Sequence, residues 1–231
     1  MKETLILIPG LGSTEVTWQH QRQHLGDLLD VQILVMDQAK RRAELVETLL
    51  SQAPERFHLA GHSFGGWLAQ AVAATAPERV SKLMLLNTYA RHNPEHIGLL
   101  ELFKENLHQG LLGETLDANL PNIIFPGRLE DDELVQPIQK MLKGFSPASY
   151  EHQVQAMIDD YATEDLLPKI SCPTLVVHAR EDNTFPSAEL EFIADQIPAA
   201  QFTIIEECGH MSPLERPQAI TALMRLWFGG E

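Results

Sequence analysis

The segment 57–76, FHLAGHSFGGWLAQAVAATA, constrains the fold more than any other part of the chain. A short apolar run ends at GHSFGG (61–66), and a pattern of small and apolar residues with helical spacing follows. Because glycine permits turns that are too tight for a Cβ atom, this pattern predicts a strand that turns sharply into a helix. A serine within G-x-S-x-G in this context presents its hydroxyl at the tip of the strand, so Ser63 is the candidate nucleophile.

Strand-like and helix-like segments alternate along much of the rest of the chain. Strand-like runs are predicted at 4–9, 31–36, 57–60, 82–87, 174–178 and 202–205. Helical patterns are predicted at 18–29, 43–52, 97–108, 131–143 and 147–160, and a last helix begins at Pro217. This alternation is typical of the α/β class, with a mostly parallel central sheet flanked by helices.

The alternation stops between residues 95 and 168, where helical patterns prevail and only 122–125 resembles a strand. This stretch contains 14 acidic and four basic residues. A long segment between two strands more often covers a pocket than merely connects them. We therefore predict a core formed by 1–94 and 169–231, and a helical lid formed by 95–168. An ordinary set of crossover helices is the alternative. The candidate pocket-lining residues are Leu99, Leu102, Phe103, Ile124, Phe125, Met141 and Met157.

A serine nucleophile needs a base that accepts its proton and a carboxylate that orients the base. His210 is the candidate base, because it follows a glycine in a loop between the last predicted strand and the final helix. Asp182 is the candidate acid, because it lies just beyond the strand at 174–178. Glu181 competes with it, but Asp182 has the better spacing from the end of that strand. The order Ser, Asp, His is the one that accompanies a serine on this type of turn.

Attack by a serine on a carbonyl also requires two backbone N–H groups that hold the developing negative charge. The N–H of Phe64 directly follows the candidate nucleophile and is predicted to be the first donor. The second should come from the glycine-rich loop after the first strand, PGLGS at 9–13. Within that loop the N–H of Leu11 is the candidate.

Five segments of the chain resemble the α/β-hydrolase superfamily in its esterase-like branch. They are LILIPGLG at 5–12, LAGHSFGG at 59–66, PERVSKLMLLN at 77–87, PTLVVHAREDNTFP at 173–186 and GHMSPLERP at 209–217. The similarity to small carboxylesterases and pimeloyl-carrier-protein methyl esterases is generic. It implies a Ser63–His210–Asp182 triad, with Leu11 and Phe64 as oxyanion donors.

The activity expected from this resemblance is hydrolysis of a small or medium, uncharged acyl ester through an acyl-enzyme. The same triad also serves C–C bond hydrolysis, perhydrolysis and lyase chemistry, and some slowly turning ligand receptors of this fold retain it. No cofactor is expected. The pairs His20/His24 and His92/His96 have a spacing that suits metal binding, but no H-E-x-x-H motif accompanies them. We therefore expect surface pairs and no metal.

The formal net charge of −15 disfavours binding to nucleic acid or to anionic membrane surfaces. No run of 18 apolar residues predicts a membrane span. The first ten residues, MKETLILIPG, do not have the pattern of a secretory signal peptide. The sequence thus predicts a cytoplasmic protein whose partner is a small-molecule ester, without a nucleic-acid or membrane partner.

Overall fold

The computed structural model describes residues 2–198 and 200–230, and within them six strands form one sheet. The strands are β1 (Thr4–Ile8), β2 (Asp30–Ile33), β3 (Phe57–His62), β4 (Val80–Leu86), β5 (Thr174–Ala179) and β6 (Ala200–Ile205). Their order is β2-β1-β3-β4-β5-β6, and each neighbouring pair is parallel. The predicted α/β class with a parallel central sheet is confirmed.

Helices connect the strands. They are α1 (Gln19–Leu25), α2 (Arg42–Gln52), α3 (Phe64–Thr75), α4 (Pro94–His108), α5 (Leu112–Ile123), α6 (Asp132–Gly144), α7 (Pro147–Asp159), α8 (Ser187–Gln196), α9 (Ser212–Glu215) and α10 (Pro217–Gly229). Short 3₁₀ helices lie at Glu15–Trp18, Pro126–Arg128 and Glu164–Lys169. None of the helices within the described ranges has both the length and the hydropathy needed to cross a bilayer.

The expected strand at 122–125 is wrong, because this stretch contains the end of α5 and the residues that follow it. The sequence analysis did not predict α5. Its buried residues, Leu116, Leu120 and Ile123, recur at helical spacing. Gly113 and Pro121 lie in the same segment and have low intrinsic helix propensity. Packing of the apolar side chains outweighs that propensity.

The sheet is buried on both faces, as its continuous apolar strands predict. Along β1, Ile6 and Ile8 point to one face and pack into a cluster that contains residues of α2 and α3. Leu5 and Leu7 point to the other face and pack with residues of α1 and α10. Successive side chains of a strand alternate between its faces, so one apolar strand contributes to both halves of the core.

Helices α4 to α7 pack on one another and build a third apolar cluster. Its buried members include Leu116, Ile138, Leu142, Tyr150 and Met211. Met211 belongs to the loop after β6, so this cluster contacts the carboxyl edge of the sheet. The loops that follow β1, β3, β5 and β6 all begin at that edge, because the strands are parallel. In open parallel sheets this edge is where ligands bind.

Candidate active site

The turn between β3 and α3 holds Ser63 in a strained conformation, with φ of 54° and ψ of −119°. Residues with a side chain rarely adopt a positive φ, and such strain concentrates at functional sites. A Cβ on Gly61 would lie 2.1 Å from the Gly65 carbonyl oxygen, and one on Gly65 would lie 2.2 Å from that of Ile8. Both glycines are therefore required for the turn to sit directly against the end of β1.

The structure brings the three predicted side chains together from three different strand ends. Nε2 of His210 lies 2.9 Å from Oγ of Ser63, and its Nδ1 lies 2.9 Å from Oδ2 of Asp182. All three residues are buried. The geometry is that of a hydroxyl whose proton can pass to an imidazole held by a carboxylate.

Hydrogen bonds surround the Asp182 carboxylate on both oxygens. Oδ1 accepts from the N–H groups of Thr184 and Phe185, at 2.8 and 3.3 Å. Oδ2 accepts from Nδ2 of Asn87 at 2.8 Å as well as from His210. Burial opposes ionisation, but the interaction with His210 and these hydrogen bonds outweigh it and hold the pKa of Asp182 below its ordinary value. The charged carboxylate accepts the Nδ1–H of His210, which leaves Nε2 free to accept the serine proton.

Glu181, the competing acid, has a different partner. One of its carboxylate oxygens accepts the N–H of Cys208 at 2.8 Å, and its own N–H donates to the Cys208 carbonyl at 3.0 Å. These bonds connect the loops after β5 and β6. The geometry therefore favours Asp182 over Glu181 as the partner of His210.

Asn87 is a site residue that the sequence analysis missed. It directly follows β4 with φ of 46°, a conformation that asparagine tolerates better than most residues. Its Oδ1 accepts from Oγ of Ser212 at 2.7 Å, which orients Nδ2 toward Asp182. An asparagine at the carboxyl end of the strand predicted at 82–87 was the available signal.

The two predicted oxyanion donors belong to the two turns that meet beside Ser63. Among the described residues, the N–H groups of Leu11 and Phe64 have no hydrogen-bond acceptor. Phe64 is the first residue of α3, so its N–H also lies at the positive end of a helix dipole. The neighbouring N–H of Gly12 donates to Oε1 of Gln153 at 2.9 Å, which anchors the loop that carries Leu11. Gln153 comes from α7, and sequence analysis did not identify it.

His62, which precedes the nucleophile, supports the main chain of the candidate base. Burial and then the nearby His210 lower the pKa of His62 to about 3, so its ring is neutral. Its Nε2 lies 2.7 Å from the carbonyl oxygen of His210 and must carry the proton that this bond requires. The bond fixes the backbone of His210 relative to β3.

Glu215 organises the loop that carries His210. Its buried carboxylate accepts three backbone N–H groups, those of Phe125 at 2.8 Å, Met211 at 3.1 Å and Gly209 at 3.2 Å. Burial raises the pKa of Glu215, and these hydrogen bonds oppose the shift. One side chain thus ties the segment after α5 to both residues that flank His210.

Replacing Glu215 by glutamine is expected to lower the free energy of unfolding by about 1–3 kcal/mol, because a buried N–H loses its acceptor. The single amide oxygen cannot accept all three N–H groups, and the amide NH₂ would face one of them. Thermal denaturation followed by circular dichroism measures this loss. The rate of any reaction that uses the Ser63–His210 pair should fall as well, because displacement of the His210 loop disturbs the geometry of that pair.

Glu206→Gln is the matched control for that substitution. The Glu206 side chain is 64 % exposed and pairs with Arg180 on the surface. Its replacement should change stability by less than about 0.5 kcal/mol. Equal melting temperatures for the Glu215 and Glu206 variants would contradict the anchoring role of Glu215.

A cavity of about 750 Å³ opens onto the candidate nucleophile and base. Four of the seven predicted lining residues do line it, namely Leu99, Leu102, Phe103 and Met157. Lining residues that were not predicted include His96, Leu111, Leu116, Leu142, Tyr150 and Phe185. Leu99 and Leu102 are 62 % and 51 % exposed, so the mouth of the cavity presents apolar surface to solvent.

The other three predicted residues do not line this cavity. Ile124 is fully buried among the apolar side chains of the α5–α6 cluster. Phe125 contributes its backbone N–H to Glu215. Met141 is buried in α6, and its Sδ accepts from Oγ1 of Thr17 at 3.5 Å. The pattern that predicted these residues marks apolar positions, and it does not distinguish a helix face that packs from one that borders a cavity.

The two histidine pairs differ from each other. His20 and His24 stack with ring centroids 4.3 Å apart, and Nδ1 of His20 lies 2.9 Å from Oγ1 of Thr221. His96 is not a surface residue paired with His92, as was expected, but lies in the cavity wall. Within residues 2–198 and 200–230, no cluster of three or more potential metal ligands occurs.

The chain is similar in sequence to known hydrolases. The sequence model described as "Alpha/beta hydrolase family" matches residues 5–223. A pimeloyl-[acyl-carrier protein] methyl ester esterase of Nitrosomonas europaea is 28% identical over 76% of this chain and 72% of its own length. A 2-hydroxymuconate semialdehyde hydrolase of Pseudomonas sp. strain CF600 is 29% identical over 74% of this chain and 61% of its own.

The fold is also shared with solved structures. A thermophilic esterase from Thermogutta terrifontis superimposes with a TM-score of 0.89 and 25% identity, over 99% of this chain and 90% of the esterase. The family match extends over nearly the whole sequence and includes residues of every strand of the sheet. The chain belongs to the alpha/beta hydrolase family, in its esterase-like branch.

Proposed function

We propose that this protein is a serine hydrolase that cleaves a small or medium, uncharged acyl ester through an acyl-enzyme. The observation that carries the proposal is the alignment of Ser63, His210 and Asp182, with 2.9 Å at each of the two contacts. The N–H groups of Leu11 and Phe64, which have no acceptor among the described residues, belong to the loop after β1 and to the turn of Ser63, and these two segments pack against each other. This combination is the minimum that nucleophilic acyl transfer requires.

In the first half of the reaction, Oγ of Ser63 attacks the ester carbonyl while Nε2 of His210 accepts the hydroxyl proton. The carbonyl oxygen becomes an oxyanion and accepts hydrogen bonds from the N–H groups of Leu11 and Phe64. Asp182 stabilises the imidazolium that forms. His210 then donates its proton to the leaving alcohol, and the C–O bond of the ester breaks to give an acylated Ser63.

In the second half, a water molecule takes the place of the alcohol. Nε2 of His210 accepts a proton from this water as its oxygen attacks the acyl carbon. The same two N–H groups hold the second oxyanion. When it collapses, His210 returns a proton to Oγ of Ser63, and the carboxylic acid product leaves.

The cavity supports an uncharged substrate. Among the described residues, no lysine or arginine lines the cavity, and Glu114 is the one acidic residue that does. A carboxylate on the substrate would lose hydration without gaining a cationic partner. We further propose that 95–168 acts as the lid of this cavity, since most of the lining residues come from α4 to α7.

C–C bond hydrolysis on the same triad is the second candidate, and one relative from Pseudomonas is named a 2-hydroxymuconate semialdehyde hydrolase. The lack of cationic side chains in the described lining disfavours substrates of any class that carry a carboxylate. A slowly turning receptor is a third candidate. Because some receptors of this fold retain the triad, ester turnover is the measurement that separates it from an enzyme.

Two measurements test the proposed function. Covalent labelling by a fluorophosphonate probe, detected by intact mass, reports whether Ser63 is an active nucleophile. A series of p-nitrophenyl esters of increasing acyl length reports whether esters turn over and which length fits. Labelling without turnover of any ester would favour a receptor or a different reaction on the same serine.

Discrimination against anionic esters is expected to reach about tenfold or more in kcat/KM, because a carboxylate gains no cation in the cavity. Methyl hexanoate and monomethyl adipate form a suitable pair, since they differ chiefly in the terminal carboxylate. The acidic lid adds repulsion, so the difference should be greatest at low salt and shrink as salt screens the charges.

Glu114→Gln should reduce that discrimination, because it removes the acidic side chain from the lining. Glu105→Gln provides the control, since Glu105 is an exposed acid of α4 that bonds to Gln109 and does not line the cavity. A wild-type preference for monomethyl adipate would show that the substrate is anionic and that this part of the proposal is wrong.

A further inference from the structure

His96 lies in the wall of the cavity, and its ring has one satisfied and one free nitrogen. Nδ1 lies 2.5 Å from the hydroxyl of Tyr161. Nε2 has no hydrogen-bond partner among the described residues. It is not among the side-chain polar atoms that are buried without a partner, so it is accessible. Because His96 lines the cavity, a bound molecule can reach this nitrogen.

The contact with Tyr161 determines which nitrogen carries the proton. The phenol has no other hydrogen-bond acceptor among the described residues, so we assign its hydroxyl as the donor to Nδ1 of His96. The single proton of the neutral imidazole is then on Nε2. Burial and then the nearby His210 lower the pKa of His96 to about 4, so the ring stays neutral at pH 7. The cavity wall thus offers one N–H donor.

Phe185 connects the His96 ring to the ring of His210. The His96 ring packs edge-on against Phe185 with centroids 5.1 Å apart, and Phe185 packs against His210 at 5.6 Å. His210 is the group that delivers a proton to the leaving alcohol. We therefore place the portion of the substrate attached to that alcohol on the side of Phe185 and His96.

We propose that Nε2–H of His96 donates a hydrogen bond to an acceptor oxygen in the alcohol portion of the ester, which makes the enzyme selective for esters of oxygen-bearing alcohols. The proposal rests on the proposed ester hydrolysis and specifies its leaving group. Suitable alcohols include glycol ethers and polyols. Simple alkanols leave the His96 N–H without an acceptor when they exclude water from it.

The test compares two butyrate esters of nearly equal size, 2-methoxyethyl butyrate and butyl butyrate. They differ by one ether oxygen in place of a methylene group. In His96→Phe, the ratio of their kcat/KM values should fall about tenfold from the wild-type ratio, because one hydrogen bond is lost. Phenylalanine preserves the ring packing with Phe185, so loss of folding is not expected.

Three further variants separate hydrogen bonding from packing. His96→Gln keeps an N–H donor and should restore part of the ratio. Tyr161→Phe removes the hydroxyl that fixes the tautomer and should lower the ratio about two- to threefold. In the double variant Tyr161→Phe/His96→Phe, the ratio should be the same as in His96→Phe alone. His92→Phe is the control, because His92 is an exposed residue of the preceding loop that does not line the main cavity.

The outcomes distinguish the two proposals. If the wild type hydrolyses both esters and the ratio is unchanged in His96→Phe, the role of His96 is overturned while ester hydrolysis stands. If the ratio falls equally in His96→Gln and His96→Phe, packing and not the N–H donor is responsible, and the role is again overturned. If the wild type hydrolyses neither ester and no member of the p-nitrophenyl series, ester hydrolysis fails and the role of His96 fails with it.

Discussion

Replacing Ser63 by alanine is expected to lower kcat for ester hydrolysis by about 10⁶-fold, the loss typical of removing a triad serine. Without Oγ, His210 has no hydroxyl to deprotonate and no acyl-enzyme can form. Binding and the N–H groups of Leu11 and Phe64 remain, so a small rate above that in water should persist. Stopped assays with the preferred p-nitrophenyl ester, together with loss of fluorophosphonate labelling, measure the effect.

The fold should survive this change, because alanine and serine suffer the same strain at φ of 54°. Each has a Cβ, and the strained turn is maintained by the packing of its glycines against neighbouring backbone. Ser63→Gly is an informative companion. Glycine usually costs about 0.5–1 kcal/mol in backbone entropy, but here it relieves strain of about 1–3 kcal/mol. We expect Ser63→Gly to be at least as stable as Ser63→Ala.

A kcat for Ser63→Ala above roughly 1% of the wild-type value would exclude Ser63 as the nucleophile, since triad knockouts lose far more. An unfolded Ser63→Ala, judged by circular dichroism, would instead show that the hydroxyl is needed for the fold. The glycine variant then provides a second route to the same kinetic measurement, since it also lacks Oγ.

The outline of the site was predictable because its main residues lie next to strand ends. Ser63, Asp182 and His210 each follow a strand that its apolar run reveals, and parallel strands place those ends at one edge. Short-range patterns thus located residues that are far apart in sequence. The same reasoning gave Leu11 and Phe64, since each directly adjoins a turn rich in glycine.

The supporting residues could not be found in this way. Gln153, Glu215 and His96 act through partners that are far away in sequence, such as Gly12, Phe125 and Tyr161. A local pattern does not reveal which of many polar side chains will face such a partner. These contacts depend on how α4 to α7 pack over the sheet, and that packing follows from side-chain shape.

The pocket lining shows the same limit. Leu102 and Phe103 border the cavity, whereas Met141 packs inside the helical cluster, although all three are apolar residues on helices. The spacing of apolar residues predicts which side chains become buried, because burial of apolar surface drives folding. That spacing does not predict which face of a helix borders a cavity.

Replacing Asp182 by asparagine is expected to lower kcat by about 10⁴-fold, as in serine proteases with the corresponding change. The hydrogen bonds around Asp182 explain why. Oδ1 accepts two backbone N–H groups, those of Thr184 and Phe185, so the asparagine oxygen should occupy that position. The NH₂ group would then face Nδ1 of His210.

An NH₂ group in that place reverses the tautomer of His210. Nδ1 must then accept a hydrogen bond, so the ring proton moves to Nε2. An Nε2 that carries a proton cannot accept the one from Ser63. Asn87 does not prevent this reversal, since a flip of its own amide presents an oxygen to the new NH₂ and an NH₂ to Ser212.

Glu181→Gln is the matched control for Asp182→Asn, because it makes the same chemical change one residue away. The glutamine oxygen can still accept the N–H of Cys208, so the contact between the loops is kept. We expect kcat within about threefold of wild type, as for a change that leaves the reacting groups in place. If Glu181→Gln abolished activity and Asp182→Asn did not, the carboxylate that orients His210 in the working enzyme would be Glu181. The loop after β5 would then have to rearrange when substrate binds, because the 2.9 Å contact of Asp182 with Nδ1 occupies that position here.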